Sequence, residues 1–170
     1  MTIHPAAMSE DELSRHVKVR FRRDRGPGGQ HRNKVETGVV LVYTPLGIEA
    51  AASEKRSQLE NRRVAFFRLR IELALEHRVP PEERISSEPS TRWTARVRGK
   101  RIQVNPNHVD FPALLAEALD TLDASDWEVG PTAEILAISN SQLLKFLKSE
   151  PRAFAKLNGE LTARGKRPMK

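Results

Sequence analysis

The sequence predicts an α+β fold: a small antiparallel sheet packed on one long helix, followed by a small all-α module with helix-turn-helix character. Three observations predict it. Val17–Arg22 alternates apolar and cationic residues, Val39–Tyr43 is a short apolar run rich in β-branched residues, and Ser57–Arg78 carries a helical apolar stripe with no breaker. Beyond Pro80–Pro81 the chain changes to short helix-sized segments separated by capping and turn residues.

In Val17-Lys18-Val19-Arg20-Phe21-Arg22 one face is apolar and the other cationic, the period of a half-buried strand. Arg25–Lys34 reads as a loop, because Gly26-Pro27-Gly28-Gly29 sustains neither helix nor ladder. Val39–Tyr43 is the buried strand, and Thr44-Pro45-Leu46-Gly47 turns the chain into an antiparallel partner at Ile48–Ala51. Along Ser57–Arg78, Leu59, Phe66, Leu69 and Leu73, flanked by Val64, Phe67, Ile71 and Leu75, form a wide stripe opposite Glu60, Arg63, Arg70 and Glu72.

Pro80–Pro89 is rich in Pro, Ser and Glu and reads as linker. Asp110-Phe111-Pro112 starts a helix with Leu115, Ala118, Leu119 and Leu122 on one face, and Gly130-Pro131 opens a short helix running to Ala137. Ser139 and Gln142 have capping-box spacing and place a helix start at Asn140. A last helix starts at Ser149-Glu150-Pro151 and ends near Gly165. Ile135, Leu136 and Ile138 would fill the first helix and the turn of a helix-turn-helix. Leu143, Leu144 and Leu147 would pack its second helix inward, leaving Asn140, Ser141, Gln142, Lys145 and Lys148 outward. A plain helical bundle with a polar face fits the same pattern.

The 170 residues include 29 Lys+Arg against 22 Asp+Glu, a net charge of +7 that favours polyanionic partners. The excess is concentrated. One cluster lies between Arg15 and Lys34, opposed only by Asp24; a second, Arg92, Arg96, Arg98, Lys100 and Arg101, contains no acid. Two such stretches look like surfaces that follow phosphates. The absence of cysteine rules out disulfides and thiolate metal sites, and no apolar run approaches the ~18 residues of a membrane span. Glu10, Asp11 and Glu12, with no Arg before Leu13, argue against a signal or transit peptide, so a soluble cytoplasmic protein is expected.

Arg25-Gly26-Pro27-Gly28-Gly29-Gln30-His31-Arg32-Asn33-Lys34-Val35-Glu36-Thr37-Gly38-Val39 resembles the catalytic-loop signature of class I peptide chain release factors. Thr44-Pro45-Leu46-Gly47-Ile48 resembles the turn that follows in that family, and Arg56-Ser57-Gln58, Asn61-Arg62 and Ala65 resemble the start of its long helix. The resemblance implies ribosome-dependent hydrolysis of peptidyl-tRNA at the peptidyl-transferase centre of the large subunit, with Gly28, Gly29 and Gln30 as the catalytic set. Glycines at 28 and 29 let backbone approach an RNA end that a Cβ would hold off. In the family the Gln main-chain amide stands at the reacting ester and its side chain restricts the space for water; both roles fall on Gln30 here. Asn33 and Lys34 would anchor the loop to ribosomal RNA, and Arg20, Arg22, Arg25, His31, Arg32, Arg98, Lys100 and Arg101 would add RNA contacts. His31 is read as an RNA contact or a bystander in preference to a general base, and the scheme needs no metal and no cofactor. Arg32 stands where the family carries Val or Ile, and Arg25 where it carries a small residue.

These readings divide the chain into a hydrolysis domain at 12–79, a linker with a basic run at 80–109 and a helical module at 110–170. With only a short stretch before Val17, codon reading has no evident place, so the layout is similar to the short ribosome-rescue members of the family, acting as monomers on P-site peptidyl-tRNA. Those members carry a bare cationic tail, whereas Asp110–Gly165 here looks folded. The alternative is an RNA- or DNA-binding protein that kept the scaffold and lost catalysis, which Arg25, Arg32 and the helix-turn-helix-like segment keep open.

Overall fold

The computed structural model describes residues 2–23, 36–84 and 88–170. It divides into two compact units, Met8–Leu73 and Ala74–Lys170 together with Met1–Ala7.

The first unit is built on a three-stranded antiparallel sheet in the order β1 (Val17–Arg22), β2 (Gly38–Tyr43), β3 (Ile48–Ala52). The register pairs Val17 with Tyr43 and Arg22 with Gly38 on one side of β2, and Tyr43 with Ile48 on the other. Because side chains alternate along a strand, Val39, Leu41 and Tyr43 of β2 share a face, and all three are buried. Gly47 closes the β2–β3 turn at φ +67, a conformation open to glycine without a Cβ penalty, and its N–H donates to the Tyr43 carbonyl at 2.9 Å. A short helix α1 (Glu10–Ser14) precedes the sheet. It is held by a reciprocal cap in which the Ser9 hydroxyl accepts from the Glu12 N–H and the Glu12 carboxylate accepts from the Ser9 N–H. The Ser9-Glu10-Asp11-Glu12 spacing is the local signal for this helix, which was not among the expected elements.

The long helix α2 runs Gln58–Glu76. Phe66, Leu69, Ile71, Leu73 and Leu75 are buried as the stripe predicts, but Leu59 is 60% exposed. It sits in the first helical turn and contributes little to the core.

The second unit is helical: α3 (Thr91–Thr94), α4 (Phe111–Ala124), α5 (Val129–Ile135), α6 (Asn140–Lys148) and α7 (Pro151–Ala163), with a two-stranded hairpin, β4 (Val97–Arg98) and β5 (Arg101–Ile102). Helix α4 departs from the one-faced reading. Leu114, Ala116 and Thr121 are buried along with Leu115, Ala118, Leu119 and Leu122, so α4 is covered on nearly every side, as suits the central helix of a bundle. The stretch 80–109, expected as linker, contains a 3-10 turn at Pro81–Glu83, α3 and the hairpin. Trp93 anchors it: the side chain is 0% exposed, its indole N–H donates to the Leu136 carbonyl at 2.8 Å, and its ring meets Phe146 edge-on at 5.6 Å. Trp93 is therefore a core residue of this unit.

A buried polar cluster in this unit makes stability depend on pH. The His4 Nδ1 accepts from the Ala6 N–H at 3.0 Å and the Nε2 lies 3.2 Å from the His77 carbonyl, an arrangement that uses both ring nitrogens of a neutral imidazole. Burial is the main force drawing His4 down to a pKa of about 3, with Arg78 and Arg84 adding repulsion. Burial likewise pushes Asp120 up to about 6 against the pull of Arg78, whose Nη1 lies 3.1 Å from it. A lowered histidine supplies stability that is complete above its unfolded value near 6.5 and is lost as pH falls through about 3. The raised carboxyl acts in the opposite sense, its contribution complete below 3.8 and lost as pH rises through about 6. We expect His4→Gln, which keeps a donor and an acceptor but cannot titrate, to flatten the loss of Tm on acidification below pH 6.5. An unchanged acid slope would refute the assignment.

Candidate nucleic-acid interface and catalytic loop

The connection between β1 and β2 begins where Arg22 and Gly38 are Cα partners. Gly28, Gly29 and Gln30 lie in that connection, as do Arg25, His31, Arg32, Asn33 and Lys34, and all of these fall outside the described residues. The structure describes the stem that carries them.

Helix α2 fastens the stem on the β2 side. Asn61, fully buried, donates through Nδ2 to the Thr37 carbonyl at 2.7 Å and to the Lys55 carbonyl at 3.0 Å, while its Oδ1 accepts from the Lys55 N–H at 2.9 Å. One amide thus satisfies three backbone groups from two segments, and an apolar residue there would leave all three without a partner. One helical turn earlier, Gln58 donates through Nε2 to the Glu36 carbonyl. Arg23 and Glu36 pair across the stem at 3.3 Å. Gly38 completes the arrangement, because a Cβ there would lie 2.8 Å from the Arg22 Cγ and 2.9 Å from the Arg22 carbonyl oxygen. The backbone oxygen cannot swing aside, so the stem needs glycine opposite Arg22. Asn61 and Gln58 entered the sequence reading only as matches to a family pattern; a buried amide reaching strand carbonyls is what makes them matter.

The other face of β1 is cationic and exposed through Lys18, Arg20 and Arg22. Arg20 reaches over β2 to Glu49 on β3 at 2.9 Å, with both side chains more than half exposed, so the guanidinium keeps hydrogen-bonding capacity for a phosphate. Phe21, on the opposite face at the edge of the sheet, is 51% exposed.

The second basic stretch divides in two. Arg92 and Arg96 are both drawn to Asp110, at 3.3 and 2.9 Å, and Arg96 also lies 3.1 Å from a His108 ring nitrogen. Their charge is spent on fixing the start of α4, which a run without an internal acid did not reveal. Arg98, Lys100 and Arg101 stand on the hairpin, exposed and without a carboxylate partner among the described residues. The structure therefore brings the sequence-predicted cations together as two groups, Arg20 and Arg22 on β1 of one unit, and Arg98, Lys100 and Arg101 on the hairpin of the other. No helix among the described residues is long and apolar enough to cross a membrane.

The stem is thus two antiparallel strands, one of them cationic on its exposed face, clamped by a long helix. The RF-1 domain matches residues 10–108. The chain belongs to this family of class I peptide chain release factors. It is 30% identical over 133 residues to "Peptide chain release factor PrfB1, chloroplastic" of Arabidopsis thaliana, covering 78% of this chain and 27% of that protein. It is 28% identical over 144 residues to peptide chain release factor 2 of Petrotoga mobilis, covering 82% of this chain and 35% of that one. Over 51 residues it is 51% identical to peptide chain release factor 1 of Chlorobaculum tepidum, 30% of this chain and 14% of the relative. The chain thus spans about a third or less of the length of these relatives.

Proposed function

We propose that the chain hydrolyses the ester of P-site peptidyl-tRNA at the peptidyl-transferase centre of the large ribosomal subunit, without reading a stop codon, and so frees stalled ribosomes. The observation that carries this is the clamped stem. Asn61 and Gln58 hold the backbone leading into the segment that contains Gly28-Gly29-Gln30, the one segment whose sequence matches a hydrolytic loop.

Water attacks the ester carbonyl carbon, the bond from that carbon to the tRNA 3′ oxygen breaks, and the proton lost by water ends on the 3′ oxygen. The peptide leaves with a free carboxyl group. The Gln30 main-chain N–H is the group proposed to donate to the oxygen on which negative charge grows, and its side chain to limit the space to one water. A preorganised donor aimed at developing charge in a water-poor site is among the strongest catalytic devices known. Gly28 and Gly29 allow the close approach. Arg25, His31, Arg32, Asn33 and Lys34 line the loop with groups for ribosomal RNA, and Arg20 and Arg22 extend that contact along β1.

Codon independence is supported by the character of the helical unit. Its unpaired cations stand on a hairpin tip, a placement suited to phosphates, which position a protein but carry no sequence information.

The test uses ribosomes stalled on a truncated message and ribosomes stopped at a stop codon, each with labelled peptide, challenged with wild type and Gly29→Ala. We expect release from the truncated complex by wild type and a loss of about 100-fold in the variant, the effect of disturbing one oxyanion donor. Release only at the stop codon would overturn codon independence. No release by either form would favour the reading in which the scaffold binds nucleic acid without catalysis.

A further inference from the structure

The α5–α6 pair and the β4–β5 hairpin form one feature that the hydrolytic reading does not use. Helix α5 ends in a tight turn in which Ala137 takes φ 54 and the Ile138 N–H returns to the Ala133 carbonyl at 3.0 Å. Ser139 then caps α6, accepting from the Gln142 N–H, and its own N–H donates to the Lys100 carbonyl at 3.1 Å. That bond ties the hairpin tip to the start of α6. From below, Trp93 holds the turn through Leu136, and Phe146 of α6 packs on Trp93 at 5.6 Å and Phe111 at 5.4 Å. With Leu143, Phe146 and Leu147 turned inward, Asn140, Ser141 and Lys145 are left exposed on the other face. Leu144, expected inward, is only half-buried, and Lys148 turns aside, its ammonium 5.0 Å from the Phe154 ring.

The hairpin tip adds a second, independent sign. Gly99 and Lys100 form a two-residue loop with φ 53 and 61, the positive pair that a type I′ turn requires. Glycine suits both positions, whereas a lysine in the left-handed region brings its Cβ close to the following carbonyl oxygen. A long cation held in a strained conformation at an exposed tip is the kind of local conflict found at binding sites. Arg98 and Arg101 flank it as a strand pair. Four cations, Arg98, Lys100, Arg101 and Lys145, have no acidic partner among the described residues, while Arg92 and Arg96 share an ion pair with Asp110.

We propose that the β4–β5 hairpin and the exposed face of α6 form a second, non-catalytic RNA-binding surface that grips the backbone of a double-helical RNA segment. The hairpin cations take phosphates and Asn140 and Ser141 take 2′-hydroxyls. RNA in preference to DNA follows from the short polar side chains at the start of α6. The major groove of A-form RNA is too deep and narrow for a helix, so contact falls on phosphates and 2′-hydroxyls across the wide minor groove. The choice of RNA also rests on the ribosomal reading above.

The experiment measures anisotropy of a fluorescein-labelled RNA duplex of about 16 base pairs, the length two successive minor grooves occupy, with the full chain over a salt series. The same-sequence DNA duplex runs beside it. Wild type should bind the RNA duplex more tightly than the DNA. The triple variant R98Q/K100Q/R101Q should bind it at least ten-fold more weakly, with the slope of log affinity against log salt reduced by about 2 to 3. Lys100→Gly guards against misfolding: relief of the left-handed strain should leave its Tm equal to or above wild type while its RNA affinity falls several-fold. RNA affinity unchanged in both variants, or DNA bound as tightly as RNA, would overturn the proposal. Peptide release by the same proteins is scored separately against Gly29→Ala, so loss of duplex binding and loss of hydrolysis are read apart.

Discussion

Replacing Asn61 with alanine should lower folding stability by about 3 kcal/mol and slow peptide release at saturating protein by about ten-fold or more. The first number follows from three backbone groups that lose their partner in a buried site, each worth roughly 1–3 kcal/mol when left unsatisfied, less what water entering the vacated volume restores. The second follows from position. Thr37 lies beside Gly38, the first residue of β2, and the loop that carries Gly28-Gly29-Gln30 is set by the strand ends it joins. A displacement of the order of 1 Å in a catalytic group can cost about 100-fold in rate. Urea melts give the stability change. Single-turnover release, measured at a temperature where the variant is folded, gives the other. A merely structural asparagine would lower stability and leave the saturating rate of the folded protein intact, so an unchanged rate would remove Asn61 from the positioning of the loop.

The first unit was legible because its determinants are local. Period-two alternation gives β1, the β-branched run gives β2, the Thr44–Gly47 turn gives the hairpin, and an uninterrupted stripe gives α2. The helix starts at Asn140 and Pro151 were legible for the same reason, since Ser139 and Pro151 carry their meaning in one or two residues. What was missed depends on residues far apart in sequence. Asp110 pairs with both Arg92 and Arg96 across 18 and 14 positions, and nothing in the basic run itself announces it. The hairpin at Val97–Ile102 has strands of two residues, too short for any period to show, so it read as charge alone. Leu115, Ala118, Leu119 and Leu122 suggested one buried face of α4, although Leu114 and Ala116 already pointed to a helix buried all round. The proposal for Gly28-Gly29-Gln30 rests on its resemblance to a family. Composition and spacing give a glycine-rich loop between two strands and stop there.

Two substitutions at Gln30 test most directly the proposal that its main-chain N–H stabilises the charge that grows as water cleaves the ester. Gln30→Pro deletes the N–H, since proline has none; Gln30→Ala keeps the N–H and deletes only the side chain that restricts the water. Single-turnover peptide release from stalled ribosomes, with ribosome binding measured in parallel, should fall about 100- to 1000-fold for the proline variant, the loss seen when an oxyanion donor is removed. The alanine variant should retain a substantial part of the rate. Release by Gln30→Pro at the rate of Gln30→Ala, with both bound equally to the ribosome, would contradict the claim.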